Sequence, residues 1–183
     1  MNLPNALTVG RIFLVPLLVV VLLTKFEGRL IFGVPKELVG AAIFGIAALT
    51  DVLDGYLARR RKQITTLGQL MDPLADKLLI TAALVSLVQM DLAPAWMVAV
   101  ILGREFAVTV LRSIAYGKGV VIAASHMGKV KMAAEVTAIL ALILGQEHLR
   151  VFYIIGTIAL WVAMFTATIS GIDYYRRFAR TTA

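Results

Sequence analysis

The chain has 183 residues, 60% of them hydrophobic, and it carries a formal net charge of +7. A mean hydropathy of +0.89 is too high for a soluble domain, so the composition predicts one integral membrane domain over residues 1–183. Without cysteine the chain has no disulfides, no thiolate nucleophile and no sulfur ligands for metal. The basic residues gather near the ends of apolar segments, which indicates contact with anionic lipid rather than with nucleic acid.

Six apolar segments follow one another along the chain, each about as long as a membrane-spanning helix. They cover residues 6–24, 36–61, 69–89, 94–116, 127–144 and 150–174. The first segment follows a short amphipathic start around Leu3 and Asn5. It lacks the small-residue cleavage site of a signal peptide, so we expect it to be retained. The pattern predicts an all-α integral membrane protein with six transmembrane helices.

The loop charges predict the orientation of these helices. If the N-terminus is cytoplasmic, twelve basic residues lie on that side and four on the other. The twelve are Arg11, Arg59, Arg60, Arg61, Lys62, Arg112, Lys118, Lys129, Lys131, Arg176, Arg177 and Arg180. Because cytoplasmic loops carry an excess of Lys and Arg, both termini are expected in the cytoplasm, together with the connection between the second and third helices.

Four aspartates lie close together in this apolar chain. Asp51 and Asp54 end the second segment, and Asp72 and Asp76 begin the third, so each pair shares one helix face. A short loop makes the two helices antiparallel neighbours, which would bring the four carboxylates into one pocket. An ionised carboxylate in hydrocarbon costs about 2.5–3.5 kcal/mol, so such a cluster needs a cation. Oxygen ligands without His or Cys favour Mg²⁺ or Mn²⁺, and two such ions can clamp a pyrophosphate.

Two other interpretations of the aspartates stay open at this point. They can form structural ion pairs with the basic run at residues 59–62 or with Lys77. A ring of carboxylates within a membrane is also found in channels and transporters for divalent cations. The transporter interpretation is weaker, because the carboxylates lie at one end of their helices and the outer halves are almost purely apolar.

The segment from residue 51 to residue 76 resembles the signature of the CDP-alcohol phosphatidyltransferases. The signature is D-x-x-D-G-x-x-A-R, eight residues, then G-x-x-x-D-x-x-x-D, and the matching residues are Asp51, Asp54, Gly55, Ala58, Arg59, Gly68, Asp72 and Asp76. The resemblance implies a homodimer whose six transmembrane helices enclose a cytoplasm-facing polar cavity. It also implies metal ligation by Asp51, Asp54, Asp72 and Asp76. Asp76 would in addition be the base that takes the proton of the acceptor hydroxyl.

Two further segments resemble the bacterial phosphatidylglycerophosphate synthases. They are residues 2–11 and residues 103–112, the latter followed by Gly128-Lys129-Val-Lys131. The resemblance implies an enzyme of the bacterial cytoplasmic membrane that transfers the phosphatidyl group of CDP-diacylglycerol to glycerol 3-phosphate and releases CMP. It assigns to the CDP-diacylglycerol site Asn5, Thr8, Asp51, Gly55, Ala58, Arg59 and Gly68. Direct displacement, which the resemblance favours, and a covalent intermediate both remain open.

A group of cations suits a phosphorylated acceptor. Arg104 and Arg112 are eight residues apart and share a helix face, while Lys129 and Lys131 begin the next helix. We predict that these four form an anion site beside the carboxylates. Glu105 is a possible partner of Arg104, but adjacent residues on a helix do not face each other. Inositol phosphate would need the same cations and is the main alternative acceptor. Phosphatidylglycerol and serine are further alternatives.

Overall fold

A computed structural model of the chain describes residues 3–24, 30–31, 33–61, 66–118, 126–146 and 150–182. Within these ranges, only the backbone is described at residues 3–7, 30, 52–61, 66–73, 126 and 181–182. The described residues form α1 (Leu3–Leu23), α2 (Lys36–Arg61), α3 (Thr66–Gln89), α4 (Ala95–Gly117), α5 (His126–Leu144) and α6 (Arg150–Thr182). The predicted all-α class is therefore confirmed.

The ends of the elements differ from the predictions at three places. The amphipathic start is continuous with the first apolar segment, because α1 already begins at Leu3. The last helix runs eight residues beyond its predicted end, to Thr182, and its last turn carries Arg180, a cation that suits a helix C-terminus. A short antiparallel hairpin of β1 (Leu30–Ile31) and β2 (Val34–Pro35) precedes α2, and the apolar pattern did not predict it.

Glycines allow α5 and α6 to pack closely against each other. A Cβ on Gly156 would lie 2.7 Å from Leu142 Cγ, and one on Gly145 would lie 2.4 Å from the backbone nitrogen of Tyr153. Neither position accepts a larger residue without a shift of the neighbouring helix, since real Cβ atoms do not approach other atoms this closely. The close separation of α5 and α6 is thus possible only because glycine has no side chain at these two positions.

The core draws side chains from all six helices and leaves a strongly apolar outer surface. Its fully buried members include Leu18, Phe44, Leu84, Ile101, Leu142 and Leu160. Large apolar side chains also point outwards, among them Phe13, which is 72% exposed, and Val151, which is 66% exposed. Contiguous exposed apolar surface is unusual for a protein in water, whereas hydrocarbon solvates it well.

Length and composition identify one clear membrane span in the part of the chain that the structure describes. This is Arg150–Arg180, with a mean hydropathy of 1.9 in its most apolar window. Thr8–Leu23 is apolar as well, but shorter. The polar residues of the predicted site interrupt the other helices, so a six-span topology is not decided by hydropathy alone.

Candidate active site

The helices α2 and α3 carry the aspartate signature, as the sequence predicted. Asp51 lies on α2 and Asp76 on α3, and both line one groove of about 570 Å³ between α2, α3 and α5. The rest of the groove is almost entirely apolar, with Leu49, Met132 and Leu140 among its walls. The other signature residues lie on the same two helices, but their side chains fall outside the described part of the structure; they are Asp54, Gly55, Ala58, Arg59, Gly68 and Asp72. The side chain of Asn5, on α1, is likewise outside it.

Asp51 forms a buried ion pair with a residue that the sequence analysis treated as a loop cation. Arg11 NH1 donates to Asp51 Oδ1 at 2.6 Å, and the Arg11 side chain is fully buried in the middle of α1. Counting Arg11 among the cytoplasmic loop charges was therefore wrong. The pairing arises because α1 packs against both α2 and α3, so a cation on α1 can neutralise a carboxylate that would otherwise be costly to bury. Thr8, predicted to contact CDP-diacylglycerol, is buried one turn before Arg11.

Asp76 lies where two spaces meet. It lines the apolar groove and also a second cavity. No residue with a described side chain donates a hydrogen bond to it, so its carboxylate oxygens are open to a proton or a cation. Two carboxylates on one groove supply the hard oxygen donors that Mg²⁺ and Mn²⁺ prefer, and the described donors therefore fit such an ion. Among the described side chains no group of three or more metal-binding residues is found, and the side chains of Asp54 and Asp72 lie outside that part of the structure.

The second cavity is strongly basic, with a volume of about 260 Å³ between α3, α4, α5 and α6. All four cations predicted for the acceptor site line it, namely Arg104, Arg112, Lys129 and Lys131. Lys77, the neighbour of Asp76, is a fifth cation in its wall, and the facing acids are Asp76, Glu105 and Glu135. We call this space the basic cavity.

Carboxylates neutralise two of the predicted acceptor cations. Arg104 NH1 donates to Glu105 Oε1 at 2.5 Å, and Lys131 Nζ donates to the same oxygen. Lys131 also bonds Glu135 Oε2 at 2.8 Å, while Arg104 NH2 donates to Ser170 Oγ at 2.8 Å. Glu105, the possible partner that helix geometry disfavoured, thus does pair with Arg104. Adjacent Cβ atoms point apart, but a guanidinium at the end of a long flexible stem can still bend back to its neighbour.

The remaining cations of the basic cavity are not paired with carboxylates in the described part of the structure. The Arg112 guanidinium lies over the ring of Tyr174, 5.8 Å from its centroid. Lys77 donates to Thr109 Oγ1, a neutral partner. Neither of these residues, nor Lys129, has a carboxylate ion-pair partner among the side chains described. An anion entering the cavity therefore meets unneutralised cations beside Asp76.

Several residues of this site escaped the sequence analysis. Lys77 was considered only as a structural ion-pair partner of the aspartates and was not assigned to the acceptor site, although it directly follows Asp76 in the signature. Glu135 was missed, although it lies one helical turn after Lys131, a spacing at which opposite charges pair. Ser170 and Tyr174 gave no signal, because a single hydroxyl residue in an apolar helix is ordinary.

Comparison with known proteins decides the family. The family model described as CDP-alcohol phosphatidyltransferase matches residues 1–169. The chain belongs to this family. The resemblance inferred from the aspartate signature is thereby confirmed.

Relatives of this CDP-alcohol phosphatidyltransferase cover almost its whole length. It is 47% identical to the CDP-diacylglycerol–glycerol-3-phosphate 3-phosphatidyltransferase of Bacillus subtilis (strain 168), over 96% of the chain and 94% of the relative. It is 36% identical to the protein of the same name from Rickettsia felis, again over 96% of the chain and 94% of the relative. A probable phosphatidylglycerophosphate synthase of Mycobacterium tuberculosis (strain ATCC 25618 / H37Rv) is 37% identical, over 98% of the chain and 82% of the relative.

Proposed function

We propose that the chain transfers the phosphatidyl group of CDP-diacylglycerol to glycerol 3-phosphate, giving phosphatidylglycerol phosphate and CMP. The position of Asp76 carries the proposal, because it joins an apolar groove to a basic cavity. A lipid donor needs an apolar groove for its acyl chains, and a phosphorylated acceptor needs a basic cavity for its phosphate. The names of the relatives from Bacillus subtilis and Rickettsia felis support the same donor and acceptor.

The apolar groove is the proposed site of the lipid donor. Its volume of about 570 Å³ and its lining by residues such as Leu79, Val136 and Leu140 suit acyl chains. Asp51 and Asp76 supply its carboxylates, near which the pyrophosphate would lie, and its other polar lining residues are Lys129 and Thr137. For the CDP moiety we retain the residues that the family signature and the N-terminal segment suggest, namely Asn5, Thr8, Asp51, Gly55, Ala58, Arg59 and Gly68.

The basic cavity is the proposed acceptor site. Arg104, Arg112, Lys129 and Lys131 all line it. Among these, Arg112 and Lys129 would contribute most to holding the phosphate, because Glu105 and Glu135 already neutralise the other two. Inositol phosphate carries the same anionic group and remains the alternative acceptor.

In the proposed reaction Asp76 accepts the proton of the acceptor hydroxyl. That oxygen forms a bond to the lipid-linked phosphorus, and the bond from phosphorus to the CMP oxygen breaks. Family resemblance favours this direct displacement over a covalent intermediate. Arg11 holds the Asp51 carboxylate in place beside the reacting groups. A divalent ion, Mg²⁺ or Mn²⁺, held by Asp51, Asp54, Asp72 and Asp76 in a site for one or two ions, would neutralise the pyrophosphate and stabilise the leaving CMP.

The proposed setting is the bacterial cytoplasmic membrane. Exposed large apolar residues on all six helices support six spans within one domain of residues 1–183. Removing the buried Arg11, Lys36 and Lys131 from the count of loop charges leaves the cytoplasmic excess intact, which supports cytoplasmic termini and a cytoplasmic active site. We further propose that the protein forms a homodimer, that membrane lipids surround it and that it does not bind nucleic acid.

The test is CMP release by the purified protein from CDP-diacylglycerol and Mg²⁺ in detergent. Glycerol 3-phosphate and inositol phosphate are supplied in parallel. Release with glycerol 3-phosphate alone is the expected result, release with inositol phosphate alone would replace the acceptor, and silence with every alcohol tried would overturn the proposal. Asp76→Asn should abolish release. The matched control is Asp91→Asn, in the turn after α3, where the positive φ of 57° suits asparagine as well as aspartate.

A further inference from the structure

Three side-chain polar atoms without a hydrogen-bond partner are buried in residues that line the basic cavity. They are Arg104 Nε, Glu135 Oε1 and Tyr174 OH, and they are half of the six such side-chain atoms found among the described residues. Leaving a buried polar group unpaired costs about 1–3 kcal/mol, so a concentration of such groups around one cavity indicates a ligand that satisfies them.

The chemistry of these atoms restricts the ligand. Arg104 Nε only donates, the Tyr174 hydroxyl donates and accepts, and Oε1 of Glu135 accepts while the carboxylate is ion-paired with Lys131. A phosphate group offers acceptors to the arginine, but its negative charge repels the glutamate. Glu135 therefore requires a neutral donor, and a hydroxyl is the simplest one. A phosphorylated polyol combines both kinds of group in one molecule.

Glu135 is held ready for such a contact. Its side chain is 2% exposed, and Lys131 Nζ fixes Oε2 at 2.8 Å, which leaves Oε1 as the unpaired oxygen. Lys131 is anchored in turn by Glu105, so the carboxylate cannot turn away without breaking a buried network. Asp76 lines the same cavity from α3. Asp76 and Glu135 thus reach one cavity from two different helices, α3 and α5, and can contact two different hydroxyls of one acceptor.

We infer that Glu135 selects the acceptor by accepting a hydrogen bond from the hydroxyl that does not react. Resting on the proposed function, this inference adds a specificity residue to it. Glycerol 3-phosphate has two hydroxyls, of which Asp76 deprotonates one and Glu135 binds the other. The Tyr174 hydroxyl provides a second contact beside it. A site built to hold a hydroxyl discriminates against an analogue that lacks it, because its own polar groups are then left unpaired.

The experiment compares two acceptors that differ in this hydroxyl alone. The first is glycerol 3-phosphate; the second is 3-hydroxypropyl phosphate, which keeps the phosphate and the reacting hydroxyl but lacks the middle one. CMP release gives kcat/KM for each acceptor. The wild-type protein should prefer glycerol 3-phosphate by roughly 10- to 100-fold, the value of one hydrogen bond to a charged group. A wild-type protein that uses both acceptors equally well would overturn the inference.

Variants of Glu135 separate recognition from a purely structural role. Glu135→Ala should bring the ratio of the two kcat/KM values close to one. Should that variant fail to fold, Glu135→Gln, which keeps a weaker neutral acceptor, should lower the ratio by roughly fivefold or more. The control is Glu37→Gln, the same change at another buried glutamate with an unpaired oxygen, which does not line the cavity; it should leave the ratio unchanged.

The outcomes distinguish this inference from the proposed function. If both acceptors lose activity in parallel in the Glu135 variants, so that the ratio stays at its wild-type value, Glu135 serves only the fold or the position of Lys131, and the inference is wrong. If the wild-type protein releases no CMP with glycerol 3-phosphate, the proposed function itself fails. Tyr174→Phe removes one hydroxyl, keeps the ring beneath Arg112, and should also lower the ratio.

Discussion

The ion pair between Arg11 and Asp51 should contribute strongly to the stability of the helix assembly. Arg11→Met removes the guanidinium and leaves the Asp51 carboxylate without its described partner. Breaking a buried pair by removing one member costs about 3–5 kcal/mol. A quarter of the Asp51 side chain is exposed, so water can hydrate the carboxylate that Arg11→Met leaves unpaired. We therefore expect the free energy of unfolding to fall by an amount near the lower limit, about 3 kcal/mol. For a chain of this length that corresponds to a fall in Tm of about 6–12 °C.

A double-mutant cycle isolates the pair. Thermal unfolding of the detergent-solubilised protein is measured for Arg11→Met, Asp51→Asn and the double variant, with EDTA present so that no divalent ion stabilises Asp51. The double variant should be less destabilised than the sum of the single ones by about 2 kcal/mol. Arg150→Met, at an exposed arginine, is the control and should change stability by less than about 0.5 kcal/mol. Strictly additive losses in the cycle would refute the argument, because they would show that the two side chains do not interact.

Three further predictions concern packing, the acceptor and the metal. Gly156→Ala places a methyl group 2.7 Å from Leu142 Cγ and should destabilise the protein by about 1–3 kcal/mol. Gly103→Ala is the control and should not destabilise it, because no neighbouring atom lies within 4 Å of that position. Equal Tm values for the two variants would contradict the close α5–α6 packing. Arg112→Gln should raise KM for glycerol 3-phosphate by roughly 10- to 100-fold, while KM for CDP-diacylglycerol stays near its wild-type value. The control is Arg177→Gln, at an exposed arginine, which should leave both KM values unchanged. An unchanged KM for glycerol 3-phosphate in Arg112→Gln would show that Arg112 is not part of the acceptor site. EDTA should stop CMP release and added Mg²⁺ or Mn²⁺ should restore it, so turnover that persists in EDTA would show that no divalent ion is needed.

The helices were largely predictable from the sequence because their signals are local. The second segment was predicted at residues 36–61 and is found as α2, Lys36–Arg61. The fourth begins at Ala95 directly after Pro94, whose φ of −63° and extended ψ of 129° make it the N-cap. The end of the sixth was wrong because polar residues suggested the end of a membrane span, whereas a helix can continue into water without any change of backbone.

The candidate site was predictable only in part. Spacing along a single helix indicated that Arg104 and Arg112 share a face, and the structure brings both to the basic cavity. Helix geometry argued against an ion pair between Arg104 and Glu105, because it gives the direction of each Cβ atom. It does not give the position of the group at the end of a long side chain, and the pair does form. Glu135 and Tyr174 were invisible, because their significance lies in a cavity formed by four helices.

By itself, the sequence determined the helices, the family and the aspartate signature. These depend on residue types at fixed spacings along one helix or across one short loop. Only the tertiary structure decided that Arg11 neutralises Asp51, 40 residues away, and that two of the acceptor cations already have carboxylate partners. Such pairings follow from how the helices pack, and a side chain meets a distant partner only when the intervening helices fix both in space.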